Sequence, residues 1–151
     1  MTATGHALVG VLIATRIQNP LLAIPIAILS HIVGDFMPHW DAGTNREHKS
    51  KERLFFEALA DVLVGFISVL LFLIFFAKTV DFYYALLIVF ASQSLDWLSA
   101  PYVFFNIKGK PFFWAYLLQK TIENKLDKPW GIITQAAFVL IVFFITNLSG
   151  L

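Results

Sequence analysis

Apolar segments long enough to cross a membrane alternate with short polar breaks along this chain. Hydrophobic residues make up 58% of the 151 positions. Only 14% of the residues are charged, whereas a soluble domain carries about a quarter. The mean hydropathy is +0.74. These values predict an integral membrane protein, and the length suits a single helical domain over residues 1–151.

Turn signals divide the chain into five predicted membrane helices and one helix at the membrane surface. The predicted spans are 4–17, 20–37, 54–77, 82–99 and 129–148, with the turn Asn19-Pro20 ending the first and Pro101 closing the fourth. Residues 111–127 place apolar side chains four apart against charged ones, which predicts an interfacial amphipathic helix. The predicted fold class is therefore an all-α, polytopic membrane bundle.

The distribution of basic residues sets the predicted orientation. Five spans place the N-terminus and the loops 39–53 and 100–128 on one side of the membrane. That side holds nine of the eleven basic residues, namely Arg46, Lys49, Lys51, Arg53, Lys108, Lys110, Lys120, Lys125 and Lys128. Because basic loops stay inside, we predict the inner membrane and a cytoplasmic N-terminus. No short apolar segment is followed by a small-residue cleavage site, so we predict no removable signal peptide.

Histidines and carboxylates occur inside these apolar segments, where ionisable side chains are costly. Six of them come from four predicted helices and converge near the cytoplasmic leaflet: His6, His31, Asp35, Glu57, Asp61 and Asp96. His31 and Asp35 are four residues apart, as are Glu57 and Asp61, so each pair shares one helix face. The topology was set by Lys and Arg alone, so this convergence independently indicates a functional site.

The side-chain types in this cluster are those that bind divalent transition metals. Imidazole and carboxylate suit zinc, our first choice, and also manganese or iron, and the chain has no cysteine to supply a thiolate. The predicted ligands of one or two ions are His6, His31, Asp35, Asp61 and Asp96. Asp61 or Glu57 is the predicted catalytic base. A buried hydrogen-bonded network that only packs helices is the competing interpretation.

Further polar residues lie beside this cluster in the sequence. His39 and Asp41 lie within three residues after Pro38. They are predicted to contact either the metal ligands or the substrate. Gln93 and Gln135 lie within spans, where hydrogen bonding between helices is the expected role.

Three segments of the chain resemble a known family. The stretches ATGHALVGVLIA, SHIVGDFMPHWD and SQSLDWL are similar to the bacterial YdjM-type membrane-bound family, whose members are described as metal-dependent hydrolases. The spacing of His31 and Asp35, followed by Pro38-His39, also resembles helix motifs of zinc-dependent phospholipase C-like enzymes. Many family members carry Pro-Asp-x-Asp-His where this chain has Pro38-His39-Trp40-Asp41. The resemblance implies a membrane-bound metal-dependent hydrolase.

Two function classes compete with a hydrolase. The leading hypothesis is cleavage of a lipid or headgroup (phospho)ester at the cytoplasmic leaflet, with membrane lipids as partners and a lipid-like substrate. A metal-ion or proton carrier could use the same residues, and a structural membrane protein could use them for packing. A net charge of +1 gives no reason to predict nucleic-acid binding, and the oligomeric state is left open.

Overall fold

The computed structural model describes residues 1–148, and this part of the chain is all-α, as predicted. Within these residues there is no β-strand, and one 3₁₀ turn, Arg46–His48, lies in the loop between the second and third helices. The helices are α1 (Ala3–Arg16), α2 (Pro20–Phe36), α3 (Lys51–Phe76), α4 (Phe82–Ser92), α5 (Ser94–Phe105), α6 (Lys110–Ile122) and α7 (Trp130–Leu148).

Polar side chains directly before four of the helices determine where these helices begin. Thr2, Asn19, Ser50 and Asp81 each accept a hydrogen bond from a backbone N–H in the first turn of the helix that follows. These bonds satisfy donors that have no partner within the helix, and each cap stabilises its helix by about 1 kcal/mol.

The shortest predicted span, α1, is the central helix of the bundle. All residues from His6 to Ala14 except Leu8 are buried, and α1 packs against α2, α3, α4 and α7. Gly10 permits the close approach of α4, since a Cβ atom at this position would lie 3.0 Å from Val89 Cα. The environment of His6 is therefore set by four neighbouring helices.

Among residues 1–148, two helices are long and apolar enough to cross a membrane: α3, and α7 over Trp130–Asn147. The apolar helices α2 and α4 are shorter. Large apolar side chains also cover the outer faces of these helices, as at Leu22, Phe75 and Phe144. Length and composition thus indicate membrane association through two helices, and the five-span topology stays a prediction.

The fourth predicted span, 82–99, is two helices rather than one. The helix breaks at Gln93, which has φ of −107° and ψ of 9°. Pro101 lies inside α5 and does not end it, contrary to the prediction. The helix ends at Phe105, and the next residue, Asn106, caps it with a left-handed φ of 55°. The break leaves the carbonyl of Ser92 at a helix end, where carbonyls have no intrahelical partner.

The predicted interfacial helix, 111–127, is also shorter than expected. The helix α6 ends at Ile122, and residues 123–127, which we call the strap, pair with the segment after α2. The backbone N–H of His39 donates to the Asn124 carbonyl at 3.0 Å, and that of Leu126 donates to the His39 carbonyl at 2.7 Å. These long-range bonds replace the helical bonds that the local pattern predicts.

Apolar and polar buried groups occupy different ends of the bundle. A continuous apolar core surrounds the second half of α1 and includes Val11, Ala27, Val69 and Ile88. The buried polar side chains are His6, His31, Asp35, His39, Thr44, Ser92, Gln93, Ser99 and Gln135. Because α1 and α2 are antiparallel neighbours, the start of α1 and the end of α2 lie at this same polar end.

Candidate metal centre

One face of α2 carries the side chains that meet α1. Ala23, Ala27, His31 and Asp35 follow one another at intervals of four and are all buried. The two alanines permit close helix packing, and the next two turns present an imidazole and a carboxylate to the same neighbour. The predicted pairing of His31 and Asp35 on one face is therefore confirmed.

The imidazole rings of His6 and His31 stack on each other beside Asp35. Their centroids are 3.9 Å apart, and the ring planes differ by 8°. The Nε2 atom of His6 lies 3.1 Å from Asp35 Oδ1, and that of His31 lies 3.2 Å from Asp35 Oδ2. The amino nitrogen of Met1 also contacts Asp35 Oδ1. Asp35 thus joins the two histidines.

The break between α4 and α5 fixes the orientation of His31. Its Nδ1–H donates to the Ser92 carbonyl at 2.8 Å, so in the neutral ring Nε2 carries the lone pair. That atom faces Asp35 Oδ2 at 3.2 Å and Asp96 Oδ1 at 3.9 Å. A lone pair facing two carboxylates is stabilised by a proton shared among these groups, by a donor such as the Gln119 amide at 3.4 Å, or by a cation between them.

The carboxylate of Asp96 is held from the opposite side by α6. The side-chain amide of Gln119 donates to Asp96 Oδ1 at 2.6 Å, and its nitrogen lies 3.4 Å from His31 Nε2. Through Gln119, the predicted interfacial helix α6 therefore contacts both Asp96 and His31.

The residues at this point fit a divalent metal. Single ligand atoms of His6, His31 and Asp96 all lie within 4.8 Å of one another. Ligands about 2.1 Å from a tetrahedral zinc ion lie about 3.4 Å apart, so the 3.9 Å between His31 and Asp96 needs a contraction of about 0.5 Å. In addition, His6 Nδ1 is buried without a hydrogen-bond partner among residues 1–148. These three residues, which we call the metal group, can therefore hold a metal ion.

Asp61 lies outside this group, although the sequence predicts it as a ligand or base. Its two side-chain oxygens accept hydrogen bonds from the backbone N–H groups of Ala3 at 2.6 Å and Thr4 at 3.1 Å. The Thr4 hydroxyl donates to the same carboxylate at 2.7 Å. A carboxylate at a helix N-terminus satisfies unpaired donors, so Asp61 positions α1 and with it His6.

Glu57, the other predicted base, also lies outside the group. Its carboxylate pairs with Lys49 Nζ and Arg53 Nε, each at 2.8 Å. These ion pairs join the start of α3 to the preceding loop, and they hold the Glu57 carboxylate there rather than beside His6, His31 and Asp96.

His39 and Asp41 join the loop after α2 to the strap. His39 Nδ1 donates to the Met37 carbonyl at 2.8 Å, and its Nε2 lies 3.7 Å from Asp41 Oδ2. Lys125 Nζ lies 3.6 Å from Asp41 Oδ1. Burial alone would raise the pKa of Asp41, but His39 and Lys125 outweigh it and hold the pKa at about 2.

Protonation of Asp41 should reduce stability below about pH 4. The folded pKa of about 2 lies under the ordinary 3.8, so its charge stabilises the fold above pH 4. This contribution, about 2 kcal/mol, is lost as the pH falls through 2. We expect Asp41→Asn to lower the unfolding temperature at pH 7 and to have little effect at pH 2. Thermal unfolding in detergent measures this, with the exposed Glu47→Gln as control, and equal unfolding temperatures at pH 7 would contradict the assignment.

A large cavity opens beside the metal group. Its volume is about 1240 Å³, above the range of about 300–1,000 Å³ typical of small-molecule sites. Polar side chains next to the histidines line part of it, namely Asp35, Asp96, Gln93 and Gln119, and further charged residues line it as well: Asp41, Arg46, Glu47, Asp61, Lys120, Glu123, Lys125 and Asp127. Apolar side chains of α3 and α5 also line it, including Leu54, Phe55, Leu59, Val62, Val103 and Phe104. The cavity is therefore amphipathic.

Two positioning residues were missed by the sequence analysis. Ser92 orients His31 through a backbone carbonyl, which no side-chain pattern reveals. Gln119 lies among charged residues of α6, and only the packing of α6 onto α5 brings it to Asp96. Gln93 and Gln135 hydrogen-bond to the N-terminal end of α1, as their predicted interhelical role requires.

Comparison of the chain with protein-family models, curated proteins and solved structures finds no match. The assignment of this site accordingly depends on the geometry and chemistry described above.

Proposed function

We propose that this protein is a membrane-embedded, metal-dependent hydrolase of lipid or headgroup phosphoesters. The observation that carries the proposal is the position of the metal group beside an amphipathic cavity. Asp35 and Asp96 contact the histidines and also line the cavity of about 1240 Å³. A ligand with a polar head and an apolar tail fits such a lining.

His6, His31 and Asp96 would hold the ion in this proposal, and Asp35 is a fourth ligand within reach of both histidines. Zinc is the metal of choice because imidazole and carboxylate ligands suit it, and manganese or iron accepts the same set. A bound ion of this kind polarises a phosphoryl oxygen as a Lewis acid. Ser92 and Gln119 keep His31 and Asp96 in the orientation that binding requires.

We assign proton acceptance to Oδ2 of Asp96, because Oδ1 is the oxygen that faces His31 and Gln119, and not to Asp61 or Glu57. The Asp96 side chain is 39% exposed and lines the cavity, so an attacking water can reach it. The oxygens of Asp61 are taken by the backbone of α1, and those of Glu57 by Lys49 and Arg53. Proton transfer requires hydrogen-bond contact with the reacting water.

The proposed setting is the inner membrane, with five spans and a cytoplasmic N-terminus. Two long apolar helices and the apolar outer faces of the bundle support membrane insertion. Nine of the eleven basic residues lie in the segments 39–53 and 100–128, which flank the metal group, and this supports its placement at the cytoplasmic leaflet. The resemblance to the YdjM-type family agrees with this proposal.

A carrier needs a polar path to the far end of the bundle. In the described chain, the residues packed around the second half of α1 form a continuous apolar core. Six of the seven residues from Leu8 to Ala14 are buried, and none of the seven has a polar side chain. This one-sided arrangement favours an enzyme that works at one leaflet.

Purified protein loaded with zinc should release headgroup or phosphate from phospholipids in mixed micelles. We expect Asp96→Asn to reduce the rate at least tenfold because it removes the proton acceptor and weakens a ligand. The measurement is product release followed by mass spectrometry, before and after chelation and zinc return.

Glu52→Gln is the matched control, because it makes the same carboxylate-to-amide change at an exposed position. It should keep the wild-type rate. A folded, metal-bound protein that cleaves no phospholipid or phosphoester with zinc, manganese or iron would exclude the hydrolase.

A further inference from the structure

The charged side chains that line the large cavity are mostly acidic. Seven carboxylates line it, against the three basic side chains of Arg46, Lys120 and Lys125. Of these three, Lys125 is already paired, because its Nζ lies 3.6 Å from Asp41 Oδ1 and 3.0 Å from Glu123 Oε2. Carboxylates remain in excess when the amino terminus and a divalent ion are counted as well. The lining therefore suits a ligand that brings a positive charge.

The break between α4 and α5 places an unpaired acceptor at this cavity. The side-chain nitrogen of Gln93 donates to the Ala3 carbonyl at 2.8 Å, which fixes the direction of the amide. Its Oε1 is buried without a hydrogen-bond partner among residues 1–148, and Gln93 lines the cavity. A buried unpaired acceptor is costly, so a ligand N–H or O–H at this point would be favoured.

The carboxylate of Asp61 lies beside this acceptor. The Gln93 amide donates to the carbonyl of Ala3, and the backbone N–H of the same residue donates to Asp61 Oδ2 at 2.6 Å. Asp61 lines the cavity too, so it places a formal negative charge next to Gln93. Among hydrogen-bond donors, a negative charge at this position favours one that is positively charged.

The metal group begins one helical turn from Gln93. The Gln93 carbonyl accepts a hydrogen bond from the backbone N–H of Trp97 at 3.2 Å, so residues 93–97 form a turn of helix. Gln93 and Asp96 are three residues apart in this turn, and side chains at that spacing are neighbours, with about 5–6 Å between their Cβ atoms. Both residues line the cavity, and Asp96 belongs to the metal group. A short ligand can therefore reach both.

We propose that the cavity selects a phosphoester whose head carries a primary ammonium, as in ethanolamine phosphoesters, and that this ammonium donates to Gln93 Oε1 beside Asp61. The inference rests on the proposed function, because it names the substrate class of the same site. The phosphoryl group lies at the metal group, and a short carbon spacer joins it to the ammonium. The head can belong to a membrane phospholipid or to a soluble ester, since the recognition chemistry is the same.

The test is calorimetric titration of the zinc-loaded full chain in phosphatidylcholine nanodiscs. The probes are 2-aminoethylphosphonate, its N,N,N-trimethyl analogue and 2-hydroxyethylphosphonate, which have no ester bond to cleave. We expect the primary amine to bind about fivefold more tightly than the trimethyl analogue, which has no N–H donor, and about tenfold more tightly than the uncharged alcohol. Absence of binding, or equal affinity for the amine and its trimethyl analogue, would overturn the proposal.

Gln93→Met keeps an unbranched side chain and removes the acceptor. It should weaken binding of the amine about fivefold and change that of the trimethyl analogue less than about twofold. Gln135→Met is the matched control, because it makes the same change at a buried glutamine outside the cavity lining, whose Oε1 already accepts from Thr2. Unchanged amine selectivity in folded Gln93→Met would overturn the placement of the ammonium. The wild-type comparison of probes decides the proposal if this variant does not fold.

The source of the head is identified by adding phosphatidylethanolamine to the nanodiscs. Weaker binding of 2-aminoethylphosphonate would then identify a membrane lipid as the ligand. Unchanged binding would identify a soluble ester.

Hydrolysis of ethanolamine phosphoesters is measured on the same samples. Ammonium selectivity without hydrolysis of any phosphoester would support the site and defeat the proposed function. Phosphoester hydrolysis without ammonium selectivity would do the reverse.

Discussion

Replacement of His31 by alanine should weaken metal binding more than a hundredfold. His31 is the histidine whose Nδ1 is anchored to Ser92 and whose Nε2 faces both Asp35 and Asp96. Loss of a mere supporting contact costs about 10–100-fold in metal affinity, so loss of the ligand itself should cost more. The measurement is elemental analysis of detergent-purified protein, which should give one or two equivalents of metal for wild type.

His48→Ala is the control for this experiment, because it removes a histidine whose side chain is 80% exposed in the α2–α3 loop. Its metal content should equal that of wild type. If folded wild-type protein holds no metal after incubation with zinc or manganese, the metal-site assignment is wrong. The cluster would then be a network that packs helices or binds protons. Equal metal in His31→Ala would exclude His31 as a ligand.

Replacement of Gly10 by valine should strongly destabilise the protein and also weaken the metal site. A Cβ atom at Gly10 would lie 2.5 Å from Ser92 Oγ and 3.0 Å from Val89 Cα, and the latter is backbone. Helix α4 must therefore move away, at a cost of about 3 kcal/mol for this kind of overpacking. Ser92 would move with α4, and its carbonyl orients His31.

The comparison of Gly10→Ala with Gly5→Ala serves as the control on the same helix. The nearest atoms to a Cβ at Gly5 belong to the flexible Met1 side chain, at 3.0–3.1 Å, so alanine is tolerated there and gains helix propensity. We expect a lower unfolding temperature for Gly10→Ala alone. Equal unfolding temperatures for both variants would show that α1 and α4 can move apart without loss of stability, and would contradict the prediction.

Local sequence signals predict the site best. His31 and Asp35 meet because a helix repeats every 3.6 residues, and their four-residue spacing predicts this directly. The contact of both with His6 followed from comparing helix ends, and the stacked rings confirm it. Asp61 shows the limit, because its depth in an apolar helix was interpreted as a metal ligand although its oxygens hold the start of α1.

Two predicted boundaries were wrong. At Gln93 the backbone N–H and carbonyl keep their local bonds to Val89 and Trp97, so the break is visible only in the backbone angles of this residue. The early end of α6 is set by a partner far away in the chain, because the backbone of residues 123–127 pairs with His39. The hydropathy pattern contains no information about which distant backbone group competes with the local helical bond.

By itself, the sequence determined the all-α class, the apolar character of the helices and the residue types of the metal group. These follow from local periodicity and from the cost of burying ionisable groups. The tertiary structure alone decided that α1 is central, that Asp96 rather than Asp61 joins the histidines, and that Ser92 and Gln119 orient the ligands. Such contacts depend on how helices pack around one another, and packing joins residues that the chain keeps far apart.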